Sequence, residues 1–151
     1  MGKFIDINNR EQLAALLYSL DAWAKPLWGK MKPQQMVEHL LGEIEYTNGK
    51  KIFISDVPAE EASRGKQKWV YSDVELPKNV ILETLPDEYR FASLELAVER
   101  LIKELGDFDL YFAQSGATCH HVAYGPMNHE EWLLWHGKHF THHLKQFGLV
   151  G

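Results

Sequence analysis

One stretch near the end of the chain dictates more of the fold than any other. Asn128 with Glu131 three residues on is a helix-capping pair, Glu130 and Glu131 suit the positive end of a helix dipole, and Gly148 supplies a stop. The sequence therefore predicts a helix from about His129 to Phe147. Trp132, Trp135, Phe140 and Phe147 mark its inward stripe. A helix this long with so broad an apolar face needs other elements to cover it. It also carries five of the chain's eight histidines: His129, His136, His139, His142 and His143.

Three further segments have a helical period. Leu13, Leu16, Leu17 and Leu20 form a stripe from about Arg10 to Leu20, with Asn8 and Glu11 as its capping pair. Met36, Val37, Leu40, Leu41 and Ile44 form the apolar face of a second helix, which starts near Pro33 and ends at Asn48-Gly49. Ala97, Val98, Leu101, Ile102 and Leu105 belong to a third, from about Leu94 to Leu105, with Gly106 as its stop. Asp21 to Met31 is a Trp-rich connection. Between Lys50 and Phe91, Pro58, Pro77 and Pro86 argue against a long helix, while Lys51-Ile52-Phe53-Ile54 and Lys68-Trp69-Val70-Tyr71 look extended. The expectation is an all-α four-helix bundle of one domain over residues 1–151, with a long irregular connection between its second and third helices.

Composition narrows the function classes. The 151 residues are 45% hydrophobic and 25% charged, an ordinary globular mix. Sixteen basic residues against twenty-one acidic ones give a net charge of −5, and no dense Lys/Arg run is present, so nucleic acid is not the expected partner. No apolar stretch approaches the roughly 18–20 residues that span a bilayer, and the first residues carry no apolar signal region. A single cysteine, Cys119, fits a reducing compartment. A cytoplasmic protein without membrane partners is the expectation.

Imidazole is the side chain of metal ligation and near-neutral proton transfer, so the histidines carry the chemical reading. His139 and His143 are the chain's single histidine pair at an i, i+4 spacing, which sets two Cβ atoms about 5–6 Å apart on one helix face. Both rings can then reach one divalent ion. His136 lies seven residues before His143, about 10.5 Å along the axis, too far to share that ion easily. A third ligand should come from another helix. His39 is the economical choice, as the remaining histidine on a core-facing helix flank. The alternative is that these are partly buried core histidines, each with one hydrogen bond. The zinc-protease pattern H-E-x-x-H is absent, because Phe140 follows His139. Cys119-His120-His121 invites a nucleophile reading, but adjacent side chains rarely face each other and a lone cysteine is usually a small buried hydrophobe. Trp132 and Trp135 read as core, Trp23 and Trp28 as candidates for a cavity rim, and Glu99 with Lys103 as a solvated face.

Three groups of residues together resemble one branch of the DinB-like (YfiT-like) superfamily of metalloproteins. They are Trp28-Gly29-Lys30-Met31 followed by Pro33, Met36 and His39; Leu76-Pro77-Lys78-Asn79; and His121-x-x-Tyr124-Gly125, Glu131-Trp132 and His139-x-x-x-His143-x-x-Gln146-Phe147-Gly148. The resemblance covers nearly the whole chain. It implies an up-down-down-up bundle with a three-histidine metal site on His39, His139 and His143, and a residue beside the metal or its substrate at Gln146. It further implies a divalent metal, often zinc or nickel, a low-molecular-weight thiol as co-substrate, and a homodimer. Two departures, Val122 after the loop histidine and Lys32-Pro33 ahead of the second helix, do not touch the triad.

The leading expectation is a metal-dependent enzyme acting on a small molecule as a thiol S-transferase, isomerase or hydrolase. Three neutral histidines with one open position make a catalytic rather than a closed metal site. His136 is then a candidate proton carrier, Gln146 a candidate for orienting a ligand, and Glu43, one turn after His39, a candidate acceptor for a ligand imidazole N–H. The rival is a non-catalytic bundle that binds a structural metal or a small apolar ligand.

Overall fold

The structure, a computed structural model, describes residues 3–78 and 85–151. It is mostly helical. Among the described residues five helices and one small hairpin follow in the order α1 (Arg10–Tyr18), α2 (Pro33–Glu45), α3 (Ala59–Trp69), α4 (Leu94–Phe112), β1 (Cys119–His121), β2 (Gly125–Met127) and α5 (His129–Gln146). The strands pair antiparallel, with Cys119 opposite Met127 and His121 opposite Gly125. No helix among the described residues is long and apolar enough to cross a membrane.

The apolar stripes meet in one contiguous core. Leu13 and Leu17 of α1, Met36, Leu40, Leu41 and Ile44 of α2, Leu101, Leu105 and Phe108 of α4, and Phe140 and Leu144 of α5 are all fully buried within it. α2 and α1 both pack against α4. Burying each such side chain removes enough apolar surface from water to stabilise the fold by about 1.5–3 kcal/mol, before ordering costs. Ionic contacts fasten the periphery. The Glu104 carboxylate of α4 is buried but meets Lys50, Asn48 Nδ2 at 2.9 Å and Arg100 Nε at 3.1 Å. Arg90 grips both oxygens of Glu45, at 2.8 and 3.2 Å. Burial works to raise the Glu45 pKa, but Arg90 and Lys51 outweigh it and the net shift is downward.

Several boundaries differ from the sequence reading. The connection between α2 and α4 is not irregular throughout, since it contains α3. Lys68 and Trp69 are the last turn of that helix rather than extended chain. Pro58 sits at its N-cap, where a missing N–H costs nothing, with Glu60 and Glu61 in the first turn and Lys66 and Lys68 in the last. Ala62 is its one buried residue, so no apolar stripe betrays it. Gly65 lets the helix press on Tyr124, whose ring would lie 2.6 Å from an added Cβ. Lys51 to Ile54 pairs with no strand; the hairpin forms at Cys119–Met127 instead. Gly106 lies inside α4, which runs on to Phe112 because Phe108 and Phe112 continue the buried face. Asn9, not Asn8, caps α1, accepting from Gln12 N at 3.1 Å. Asn79, in one of the resemblance motifs, lies outside the described residues.

Candidate metal centre

Local structure fixes the phase of the two helices that carry the histidines. At the start of α5, Asn128 Oδ1 accepts from Glu131 N at 2.9 Å, and Glu131 Oε1 accepts from Asn128 N at 3.1 Å. This is the reciprocal cap that the sequence implied. Pro33 opens α2, and Gln35 Oε1 accepts the Lys32 N–H at 2.9 Å. With both helices indexed this way, His39 on α2 faces His139 and His143 on α5.

The three imidazoles converge through one atom each. His39 Nε2 lies 3.1 Å from His139 Nε2, and His143 Nε2 lies 3.1 Å from the same atom. Their ring centroids are 4.8–5.0 Å apart with interplanar angles of 65–90°, so the rings stand edge-on around a common point rather than stacked. Three nitrogens at 2.0–2.1 Å from one ion in tetrahedral directions would be about 3.3–3.4 Å apart. The observed spacing needs only a few tenths of an ångström of adjustment. Among the described residues these three form the group of ligating side chains that could hold a metal ion.

Hydrogen bonds around the cluster select the atom that faces it. Gln146 Nε2 donates to the Trp28 carbonyl at 3.2 Å, which fixes the orientation of its amide. Its Oε1 therefore faces His143 Nδ1, 2.8 Å away, and that nitrogen must be the N–H donor. The His143 Nε2 lone pair is left pointing into the cluster, the arrangement a ligand histidine requires. Leu27 N also donates to the Gln146 carbonyl at 2.7 Å, so the Trp-rich connection is tied to the end of α5 twice.

Electrostatics favour neutral rings. Burial lowers the His143 pKa to about 3, with His39 adding to the shift and Gln146 opposing it. His139 is pushed well below its ordinary value by burial, then by His143 and His39. His139 and His143 thus resist protonation, and with His39 Nε2 beside them the cluster is a donor set for a divalent cation. His39 and His139 keep partial access to solvent, while His143 is buried.

The remaining histidines sit elsewhere. His136 is fully buried between Trp132 and Phe108, and its Nε2 lies 3.0 Å from Thr47 Oγ1. His142 packs edge-on against both the Trp28 and the His143 rings, at 5.4 and 5.0 Å, but is not one of the three converging ligands. His129 stacks on Phe112. On β1, His120 Nδ1 accepts from Ser55 N at 3.2 Å, and His121 stacks on Tyr124 at 4.2 Å. Burial raises the half-buried Cys119 thiol pKa, against a hydrogen bond from Tyr111 that lowers it. That is an inert thiol rather than an activated nucleophile. Glu43 lies half-buried one turn after His39 on α2. Sequence reasoning missed the tie between Gln146 and Trp28, because no local pattern encodes a contact across so many residues.

Fold and site together define a mostly helical protein with a three-histidine cluster suited to a metal ion. The chain belongs to the family described as protein of unknown function (DUF1569), whose model matches residues 49–148. That match includes His139, His143 and Gln146 but stops short of His39. No curated protein and no solved structure matches the chain.

Proposed function

We propose that the protein is a metal-dependent enzyme of the DinB-like type, acting on a small molecule with His39, His139 and His143 as ligands. In this reading the long helices form an up-down-down-up four-helix bundle around the site. The observation that carries it is the approach of three Nε2 atoms at 3.1 Å contacts, in a setting that keeps His139 and His143 neutral. Zinc and nickel both suit an all-imidazole donor set. When bound, such an ion would acidify a water or hold a thiolate, the chemistry of hydrolases and thiol S-transferases. Gln146 holds the His143 ring and its proton, and Glu43 is the candidate to do the same for His39. With three protein ligands, a tetrahedral ion keeps one position for water or substrate.

The test starts from protein purified without an affinity column or added metal. Elemental analysis should find about one divalent ion per chain. Cobalt-substituted protein should change its visible spectrum on titration with a small thiol while the metal stays bound. No metal, and no cobalt uptake, would end the metal reading. A bound cobalt whose spectrum ignores thiol and imidazole would leave a closed, structural site.

A further inference from the structure

Between α2 and α3 the chain presents three apolar residues in a row to water. Ile52 is 85% exposed, Phe53 40% and Ile54 75%. Among the described residues, the backbone N–H and C=O groups of these three residues make no hydrogen bond within the chain. The segment is nonetheless held at both ends. Lys51 N donates to the Glu45 carbonyl at 3.0 Å. Ser55 N donates to His120 Nδ1 at 3.2 Å, and Ser55 Oγ donates to the His121 carbonyl at 2.8 Å. An unpaired backbone edge with exposed β-branched side chains is a template for strand addition, which monomeric proteins normally blunt. Here the template is already ordered, so less entropy is lost when it pairs.

We propose that residues 50–56 pair antiparallel with the same segment of a second copy, about a two-fold axis at Phe53. The sequence Lys50-Lys51-Ile52-Phe53-Ile54-Ser55-Asp56 is complementary to itself in that register. Ile52 falls opposite the partner's Ile54 on one face, and Phe53 opposite the partner's Phe53 on the other. Lys51 meets the partner's Ser55, and Lys50, whose ammonium also binds Glu104 and Asp107 of its own chain, falls level with the partner's Asp56. Parallel in-register pairing would instead set Asp56 against its own copy, which like charges oppose. This complementarity points to a second copy of the chain as the occupant rather than an unrelated peptide. The contact is short and falls in the class of small interfaces below about 1,200 Å², so the dimer is weak and depends on concentration.

Sedimentation velocity of the full chain tests this from about 5 μM to about 1 mM, the range in which a weak complex forms. The weight-average mass should climb from 17.5 kDa toward twice that value. The double variant Ile52→Lys/Ile54→Lys should stay monomeric throughout with unchanged circular dichroism, since both side chains are solvent-exposed. Register is read separately in a Cys119→Ser background. Oxidised Phe53→Cys should cross-link to a dimer, because a residue on the axis faces its own copy within disulfide reach. Asp56→Cys should not, because it lies about 20 Å from its own copy in this register. A wild type that is monomeric at the highest concentration overturns the proposal. So does a dimer that survives the double variant, or one that cross-links as readily through Asp56→Cys as through Phe53→Cys.

Discussion

His136 and His143 stand two turns apart on α5, and both have pKa values lowered to about 3 chiefly by burial. Their surroundings nevertheless give them different chemistry. Around His136 the rings of Trp132, Phe108 and Phe140 leave one polar neighbour, Thr47 Oγ1 at 3.0 Å. Thr47 spends its own hydroxyl proton on the Ile44 carbonyl at 3.0 Å, so His136 Nε2 is the donor toward Thr47. Its Nδ1 finds no partner among the described residues. His143 has the opposite tautomer: Gln146 holds its Nδ1 proton and its Nε2 meets another imidazole. A depressed pKa is thus common to a core histidine and a candidate ligand. What separates them is whether the free lone pair meets other lone pairs.

The largest effect that tests this contrast is loss of metal. Ala at His39, His139 or His143 should take the content of purified protein from about one ion per chain to background, while His136→Phe and His142→Ala should keep it. Equal occupancy in His39→Ala and wild type would remove His39 from the site. A smaller effect belongs to Gln146. Gln146→Leu removes the acceptor that sets the His143 tautomer and should weaken metal binding about 10–100-fold, as partners of metal ligands commonly do. Competition with a chromophoric chelator measures it, and Gln146→Glu, which keeps an acceptor, should recover most of the loss. No difference between Leu and Glu would reduce Gln146 to a strut for the Trp28 connection.

The same contrast shows where the sequence was readable. The i, i+4 spacing of His139 and His143 and the cap at Asn128 are local, so they located one half of the site directly. His39 followed from helical phase, because the face defined by Met36, Val37, Leu40 and Leu41 set its direction. α3 stayed hidden because it is a surface helix whose charges, not an apolar stripe, mark it. Gly106 read as a stop, but the helix continues because Phe108 and Phe112 find buried sites on the same face; packing outweighs the roughly 1 kcal/mol that a helical glycine costs. Spacing set His136 apart from the ligand pair, but the opposite tautomers of His136 and His143 were not legible. They depend on Thr47 and Gln146, one distant in the chain and the other fixed by a distant carbonyl.

Acid should expose the buried histidines as a group. In the folded protein His136 is lowered to about 3 and His121 to about 4, both by burial, against an ordinary value of 6.5. The unfolded chain therefore binds protons that the folded chain refuses. Stability is fully present above about 6.5 and falls as pH drops toward the folded values. Each such histidine contributes a slope of up to about 1.4 kcal/mol per pH unit in that window. Urea melts of metal-free protein between pH 7 and 5 should show the fall, and His121→Phe should reduce the slope by one histidine's share. A flat profile would mean that the buried rings are protonated or solvated in the native state.

The smallest expected effect isolates the polar contact of His136. Thr47→Val keeps the volume near the ring but deletes Oγ1, leaving the His136 N–H buried without an acceptor. An unsatisfied buried donor costs about 1–3 kcal/mol. The ring can partly escape that cost by moving its proton to Nδ1, although that atom has no partner among the described residues either, so the low end of the range is expected. Denaturant melts at pH 7 should therefore show a loss of about 1 kcal/mol, and His136→Phe combined with Thr47→Val should recover it, because the pair would then be wholly apolar. Metal affinity should be unchanged in both, since neither residue meets the converging Nε2 atoms. A shift in metal affinity on Thr47→Val would tie His136 to the cluster and erase the distinction between the two histidines.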